Sequence, residues 1–107
     1  MHIVNSKEKI ENLISKNDMA LVYFGSEACG VCISIKPKME EILKKYPKIK
    51  SAEVDVKESV IISAEYNIFT IPAVLLFVEG KETIREARYM SIQDIDEKIS
   101  RYYNLMF

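Results

Sequence analysis

The sequence has very few residues of the kinds that bind metal ions. It contains a single histidine, His2, and two cysteines, Cys29 and Cys32, among 107 residues. A zinc or iron–sulfur site needs about four soft ligands. Such a site would therefore require two copies of the chain, and we expect no metal and no bound cofactor. Two cysteines also form too sparse a framework for a secreted protein braced by disulfides.

Long apolar segments are missing as well. No stretch approaches the roughly 20 apolar residues of a membrane span. In the segment Met1–Lys9, charged residues come before any apolar run of signal-peptide length. We therefore expect a cytoplasmic protein with no membrane partner. Stable structural disulfides are rare in that compartment, where a Cys-x-x-Cys motif is more often catalytic or metal-binding.

No sign of charge dominates. The chain has 15 Lys and Arg against 16 Asp and Glu, for a formal net charge of −1, and this balance argues against a nucleic-acid-binding surface. No repeat, low-complexity tract or linker interrupts the sequence, so residues 1–107 are predicted to form one domain. With 49% hydrophobic residues, a domain of this length buries about 60–70% of its unfolded surface.

The two cysteines form the motif Cys29-Gly30-Val31-Cys32, which lies between a strand-like apolar run and a helical pattern. The start of a helix offers unpaired N–H groups and the positive end of its dipole, and both stabilise a thiolate. A thiol in such a place can have its pKa lowered from about 8.5 into the range of roughly 3.5–7.5. Cys32 is one helical turn further on and within disulfide reach. The pair is therefore predicted to be a redox couple.

Hydrophobic spacing predicts an α/β protein with a mixed sheet. The first helix is expected to have Asn5 as its N-cap and to run to about Lys16. The next helix runs from the cysteines to about Tyr46 and contains Pro37, which predicts a kink. Another helix begins near Ser91. The remaining expected elements are strands at Met19–Phe24, Ile49–Val56, Ala73–Val78 and Thr83–Arg88, and a helix at Glu58–Tyr66; a strand ahead of the first helix is left open.

These features together resemble the thioredoxin family over nearly the whole chain. The motif follows a strand and opens a proline-containing helix, and Thr70-Ile71-Pro72 precedes an apolar strand that ends near Gly80. The segments that carry the resemblance are Leu21–Cys32, Pro37, Val54–Val56, Tyr66–Pro72 and Val74–Lys81. The resemblance implies the thioredoxin fold, a three-layer α/β/α sandwich.

The resemblance also implies roles for individual residues. Cys29 would be the attacking thiolate and Cys32 the resolving thiol. Pro72, preceded by a cis peptide bond in the family, would shape a groove that also includes Gly30 and Val31 and would keep metal ions from the thiols. Ile71 would pair through its backbone with an extended substrate segment.

The sequence departs from the family pattern at four places. Ala28 replaces the tryptophan before the first cysteine, Gly30-Val31 replaces Gly-Pro, and Arg88 aligns with a glycine that leaves the groove open. Tyr23 and Glu53 align with the buried aspartate of many thioredoxins and its lysine neighbour. These departures predict a thioredoxin fold with an altered active site.

Two of these departures carry chemical expectations. The Val31 N–H, which a proline would lack, is expected to donate to the Cys29 sulfur and to make the couple more oxidising. With Tyr23 in place of an aspartate, no buried carboxylate is expected, so deprotonation of Cys32 needs another base such as water.

The function predicted from the resemblance is that of a thiol–disulfide oxidoreductase. It would reduce disulfides in protein substrates and be recycled by a thioredoxin-reductase-like electron donor. Two alternatives stay open: a non-catalytic peptide-binding module on the same fold, and a more oxidising disulfide exchange or isomerase-type role. Packed cysteines without redox chemistry would be the purely structural alternative.

Overall fold

A five-stranded sheet organises the structure, a computed structural model that describes residues 1–107. The strands are β1 (His2–Ile3), β2 (Met19–Gly25), β3 (Lys50–Asp55), β4 (Ala73–Val78) and β5 (Lys81–Ala87). The helices are α1 (Lys7–Lys16), α2 (Gly30–Lys45), α3 (Val60–Glu65) and α4 (Ile92–Met106). The strand order is β1-β3-β2-β4-β5, in which β1, β3 and β2 are parallel and the β2–β4 and β4–β5 pairs are antiparallel. The predicted mixed sheet is confirmed.

The central strand β2 is buried along its whole length, as its continuous apolar run predicts. Because successive side chains of a strand point to opposite faces, β2 contributes to two separate cores. The α1/α3 core includes Val22, Phe24, Leu75, Ile10 and Ile62. The α2/α4 core includes Leu21, Tyr23, Leu76, Met39 and Ile95. The molecule is therefore a three-layer α/β/α sandwich.

Two details of the helices follow from the structure. The N-cap of α1 is Ser6, not the predicted Asn5, because the Ser6 hydroxyl accepts the N–H of Lys9, three residues further on. Pro37 lies inside α2, as predicted.

No helix combines the length and the apolar character that crossing a membrane requires.

The strand register decides where the cysteines lie. Gly25, the last residue of β2, pairs with Asp55 at the end of β3. Its neighbour Phe24 pairs with Ala73 at the start of β4. The ends of β2 and β3 and the beginning of β4 therefore meet at one edge of the sheet, and the segment with Cys29 leaves β2 at that edge.

Candidate active site

Cys29 and Cys32 form a disulfide at the start of α2, with their Cα atoms 5.2 Å apart. Cys29 is the N-cap of the helix, and its sulfur accepts the backbone N–H of Cys32 at 3.1 Å. An N-cap side chain satisfies one of the donors that a helix start leaves unpaired. Here a sulfur atom does so, which places the atom in the positive field at the end of the helix.

The two cysteines differ in exposure. Cys29 is half-buried, while Cys32 is only 3% exposed. A second sulfur atom approaching from solvent therefore reaches Cys29 more easily than Cys32.

The other predicted site residues lie in two separate segments of the chain. Gly30 and Val31 are exposed at the first turn of α2, Ile71 is half-buried, and Pro72 is buried immediately before β4. The Ile71–Pro72 peptide bond is cis. The carbonyl of Pro72 accepts the backbone N–H of Arg88 at 3.1 Å.

Arg88 lies beside the first turns of α2. It lines an open depression together with Val31 and Ile35 of that helix and with Tyr89 and Met90. The Arg88 backbone has φ +67°, a left-handed conformation that favours glycine. The guanidinium of Arg88 forms no ion pair within the chain.

The expected contact between the Val31 N–H and the Cys29 sulfur is wrong. The donor to that sulfur is the N–H of Cys32, and Val31 makes no such hydrogen bond. The reason is capping geometry: an N-cap side chain bonds the N–H of the second or third helical residue, and in this turn the third residue satisfies it. Because a proline at position 31 would leave this bond in place, the expected effect of Val31 on the couple loses its basis.

The interior behind Cys32 contains residues that sequence reasoning did not assign to the site. The hydroxyl of Tyr23, a residue only 1% exposed, donates to the carbonyl of Cys32 at 2.7 Å. Burial, with a smaller contribution from the Glu53 carboxylate, raises the pKa of Tyr23 to about 12. The hydroxyl therefore remains a neutral donor at physiological pH, where it ties the first turn of α2 to β2.

Gly25 also belongs to this interior. A Cβ added at Gly25 would lie 3.2 Å from Cys32 Cβ and 3.4 Å from Cys32 Sγ, so Cys32 would have to shift by a few tenths of an ångström to make room for it. In the sequence, the only sign that Gly25 leaves space for Cys32 is its position at the end of an apolar strand.

The tyrosine at position 23 does not leave this region without an acidic group. Glu53 faces the cavity that Cys32 lines, and its Oε1 atom is 2.8 Å from Nζ of Lys36. This close contact with the Glu53 carboxylate raises the pKa of Lys36. The carboxylate comes from β3, next to Tyr23 in the parallel register, which is a relation that the sequence does not encode locally.

The structure also bears on metal binding. No group of three or more histidine, cysteine, aspartate or glutamate side chains is arranged to hold a metal ion.

A disulfide between the N-cap of a helix and its third residue, at the edge of a mixed sheet, fits the chemistry of a thiol–disulfide oxidoreductase. A family model described as Thioredoxin matches residues 1–101. The chain belongs to the thioredoxin family, and the resemblance found in the sequence is confirmed.

Relatives and solved structures agree with this assignment. The chain is 29% identical to Thioredoxin-like protein YdfQ of Bacillus subtilis (strain 168), over 95% of the chain and 91% of the relative. It is 32% identical to Thioredoxin 1 of Plasmodium falciparum (isolate 3D7), over 90% and 94%. The solution structure of oxidised thioredoxin from Plasmodium falciparum matches with a TM-score of 0.85 and 28% identity, over 96% and 98%. Fasciola hepatica thioredoxin matches with a TM-score of 0.86 and 29% identity, over 94% and 98%.

Proposed function

We propose that this oxidoreductase reduces disulfides of protein substrates, with Cys29 as the attacking cysteine and Cys32 as the resolving cysteine. The observation that carries the assignment is the contrast between the two sulfur atoms. The Cys29 sulfur is accessible and accepts an N–H at the start of a helix, whereas Cys32 is buried. The first position favours a reactive thiolate.

The reaction proceeds in two exchanges. The Cys29 thiolate attacks one sulfur of the substrate disulfide, the S–S bond breaks, and the other substrate sulfur leaves as a thiolate. The Cys32 thiolate then attacks the Cys29 sulfur of this mixed disulfide. The products are the Cys29–Cys32 disulfide and a substrate that has gained two electrons.

The substrate segment binds along the groove formed by Gly30, Val31, Ile71 and Pro72. Ile71 supports this role because neither its N–H nor its C=O makes a backbone hydrogen bond within the chain. Both groups are therefore free to pair with an extended substrate segment in the manner of an added strand. The exposed Val31 side chain offers that segment an apolar contact.

The oxidised pair is reduced again by a thioredoxin-reductase-like electron donor, which supplies two electrons per cycle. We place the protein in the cytoplasm, where a reducing environment suits a pair of cysteines that must return to the dithiol form.

Insulin reduction with dithiothreitol as the reductant tests the proposal. The expected result is precipitation of the insulin chains well before the reaction with dithiothreitol alone. The matched control is the double variant Cys29→Ser/Cys32→Ser, which should not exceed the background. No acceleration by the native protein would contradict reductase activity and favour a binding module. Equilibration with glutathione would then separate a reducing couple from a more oxidising one.

A further inference from the structure

We propose that Glu53 accepts the proton of the Cys32 thiol when the mixed disulfide is resolved, with Lys36 holding the carboxylate in the cavity beside Cys32. This inference rests on the proposed function, in which Cys32 is the resolving cysteine. It assigns to this chain a proton acceptor that lies on β3.

Four side chains meet in one cavity, which has a volume of about 390 Å³. Cys32 and Lys36 are four residues apart on α2 and therefore share a face of the helix. Tyr23 and Glu53 are neighbours across the β2–β3 pair. The 2.8 Å contact between Lys36 Nζ and Glu53 Oε1 links α2 to β3. Because Lys36 and Cys32 share a face of α2, this contact holds the carboxylate on the side of the helix that carries Cys32.

Glu53 is the carboxylate best placed among those that line this cavity. Glu27 is exposed, Glu40 lies 3.7 Å from the N-terminal amine, and Asp55 accepts two backbone N–H groups of the following turn. The Glu53 side chain is only 16% exposed, and its Oε1 atom is shielded from solvent. No hydrogen-bond donor with regular geometry satisfies that atom, although the ammonium of Lys36 is close to it.

The proton transfer balances charge within the cavity. Before transfer, the cavity holds a neutral thiol, a carboxylate and an ammonium; afterwards it holds a thiolate, a neutral carboxylic acid and the same ammonium. Because no net charge is created, the transfer avoids much of the penalty for charging a buried group. The neighbouring Tyr23 stays neutral throughout, and the raised pKa of Lys36 keeps its ammonium charged.

The electron pair left on the Cys32 sulfur then forms the bond to Cys29. As the mixed disulfide breaks, the substrate sulfur leaves as a thiolate, and the proton on Glu53 passes to solvent or to that thiolate. A carboxylate positioned in this way can act directly or through one water molecule. The acceptor is needed at this step only, so the first attack by Cys29 does not depend on it.

A single-turnover experiment separates the two steps. The reduced protein is mixed with insulin, quenched with acid, and the mixed disulfide and the Cys29–Cys32 disulfide are quantified by mass spectrometry. In Glu53→Gln we expect attack within twofold of the native rate, resolution slowed by a factor of about 100, and accumulation of the mixed disulfide. Glu40→Gln, a carboxylate of the same cavity, should resolve at the native rate.

Chemical rescue distinguishes proton transfer by Glu53 from a purely structural role, because an added base can replace a missing proton acceptor but cannot repair a packing defect. In Glu53→Gln, resolution should accelerate with imidazole concentration at constant pH, while the native protein should not respond. Glu53→Asp keeps a carboxylate on a shorter side chain, and we expect it to resolve the mixed disulfide at an intermediate rate. This variant still tests the proposal if Glu53→Gln folds poorly. Native-like resolution in both Glu53 variants, or slow resolution without imidazole rescue, would overturn the assignment. If the native protein forms no mixed disulfide, it is the proposed function that fails.

Discussion

Cys29 and Cys32 differ in their surroundings although one helical turn separates them. Cys29 is at the N-cap, where its sulfur accepts the backbone N–H of Cys32. Cys32 lies on the inner face of α2, with its carbonyl bound by Tyr23 and with Gly25 packed against its sulfur. Cys29 stands at the start of the helix and is half-buried, whereas Cys32, one turn further along the same face, is buried.

The first prediction concerns the roles of the two cysteines. Cys29→Ser should abolish insulin reduction, while Cys32→Ser should accumulate mixed disulfides with substrates, because attack survives and resolution does not. Mass spectrometry of the trapped adducts measures both results. Alkylation of Cys32 before Cys29 in the reduced protein near neutral pH would contradict the assignment.

Arg88 is a residue in a backbone conformation that suits glycine. Its φ of +67° brings the Cβ of an L-residue close to the backbone, whereas glycine adopts this conformation freely. The backbone of Arg88 is nevertheless fixed there by its hydrogen bond to Pro72.

The second prediction is that Arg88→Gly stabilises the protein. Relief of the left-handed strain should raise the free energy of unfolding by about 0.5–1 kcal/mol, measured by urea denaturation of the oxidised form. Arg88→Ala keeps the Cβ and is the matched control, which should leave stability near the native value. Equal stability of the glycine and alanine variants would show that the backbone at this position is not strained.

At the scale of elements, the end of α2 is joined to α4 by a small polar cluster. Asp96 of α4 forms an ion pair with Lys45 and accepts the hydroxyl of Tyr46 at 2.6 Å. Partial burial works against ionisation of Asp96, but the contacts with Lys45 and Tyr46 outweigh it and lower the pKa of this carboxyl below its ordinary value. The cluster therefore stabilises the docking of α4 when Asp96 is charged.

The third prediction follows from the sign of this shift. Because the folded pKa of Asp96 is below the unfolded value of about 3.8, its contribution is fully present above that value and is lost as the pH falls through the lower folded pKa. Asp96→Asn should lower the free energy of unfolding by about 0.5–1 kcal/mol at pH 7.

The loss should shrink in strong acid, as measured by urea denaturation at a series of pH values. Glu97→Gln, an exposed change on the same helix, should have no comparable pH-dependent effect. A deficit in Asp96→Asn that is equally large at all pH values would contradict the ionic origin.

At the scale of the whole molecule, one sheet joins two hydrophobic cores. Adjacent residues of β4 face opposite layers: Leu75 belongs to the α1/α3 core and Leu76 to the α2/α4 core, and both are fully buried. Since the strands β2 and β4 supply both cores, neither layer can lose its packing without disturbing the other. The two cores are therefore expected to unfold together.

The fourth prediction tests this coupling with a matched pair of variants. Leu75→Ala and Leu76→Ala should each lower the free energy of unfolding by about 2–5 kcal/mol. In both variants, far-UV circular dichroism and tyrosine fluorescence should report a single coincident transition. Leu105→Ala, at a side chain that is 82% exposed, should change stability by less than about 0.5 kcal/mol. Separate transitions in either core variant would show that the layers unfold independently.

The elements and the redox pair could be predicted from the sequence because their signals are local. The apolar runs of β2 and β4 are continuous and short, which is typical of strands covered on both faces. Cys29 and Cys32 share a face because three residues complete almost one helical turn. The N-cap of α1 was misplaced by one residue, because Asn5 and Ser6 are both good caps and only the hydrogen bond to Lys9 distinguishes them.

The tertiary structure decided what surrounds those sulfur atoms. Glu53 and Lys36 are distant in sequence from each other and from Tyr23, and only the parallel register of β2 and β3 and the packing of α2 on the sheet bring them to one cavity. The N–H of Cys32, and not that of Val31, donates to the Cys29 sulfur, and this likewise depends on how the N–H groups are oriented in the folded turn. Sequence patterns record which face of an element is apolar; register and packing, which determine distances between elements, arise only when those faces are buried together.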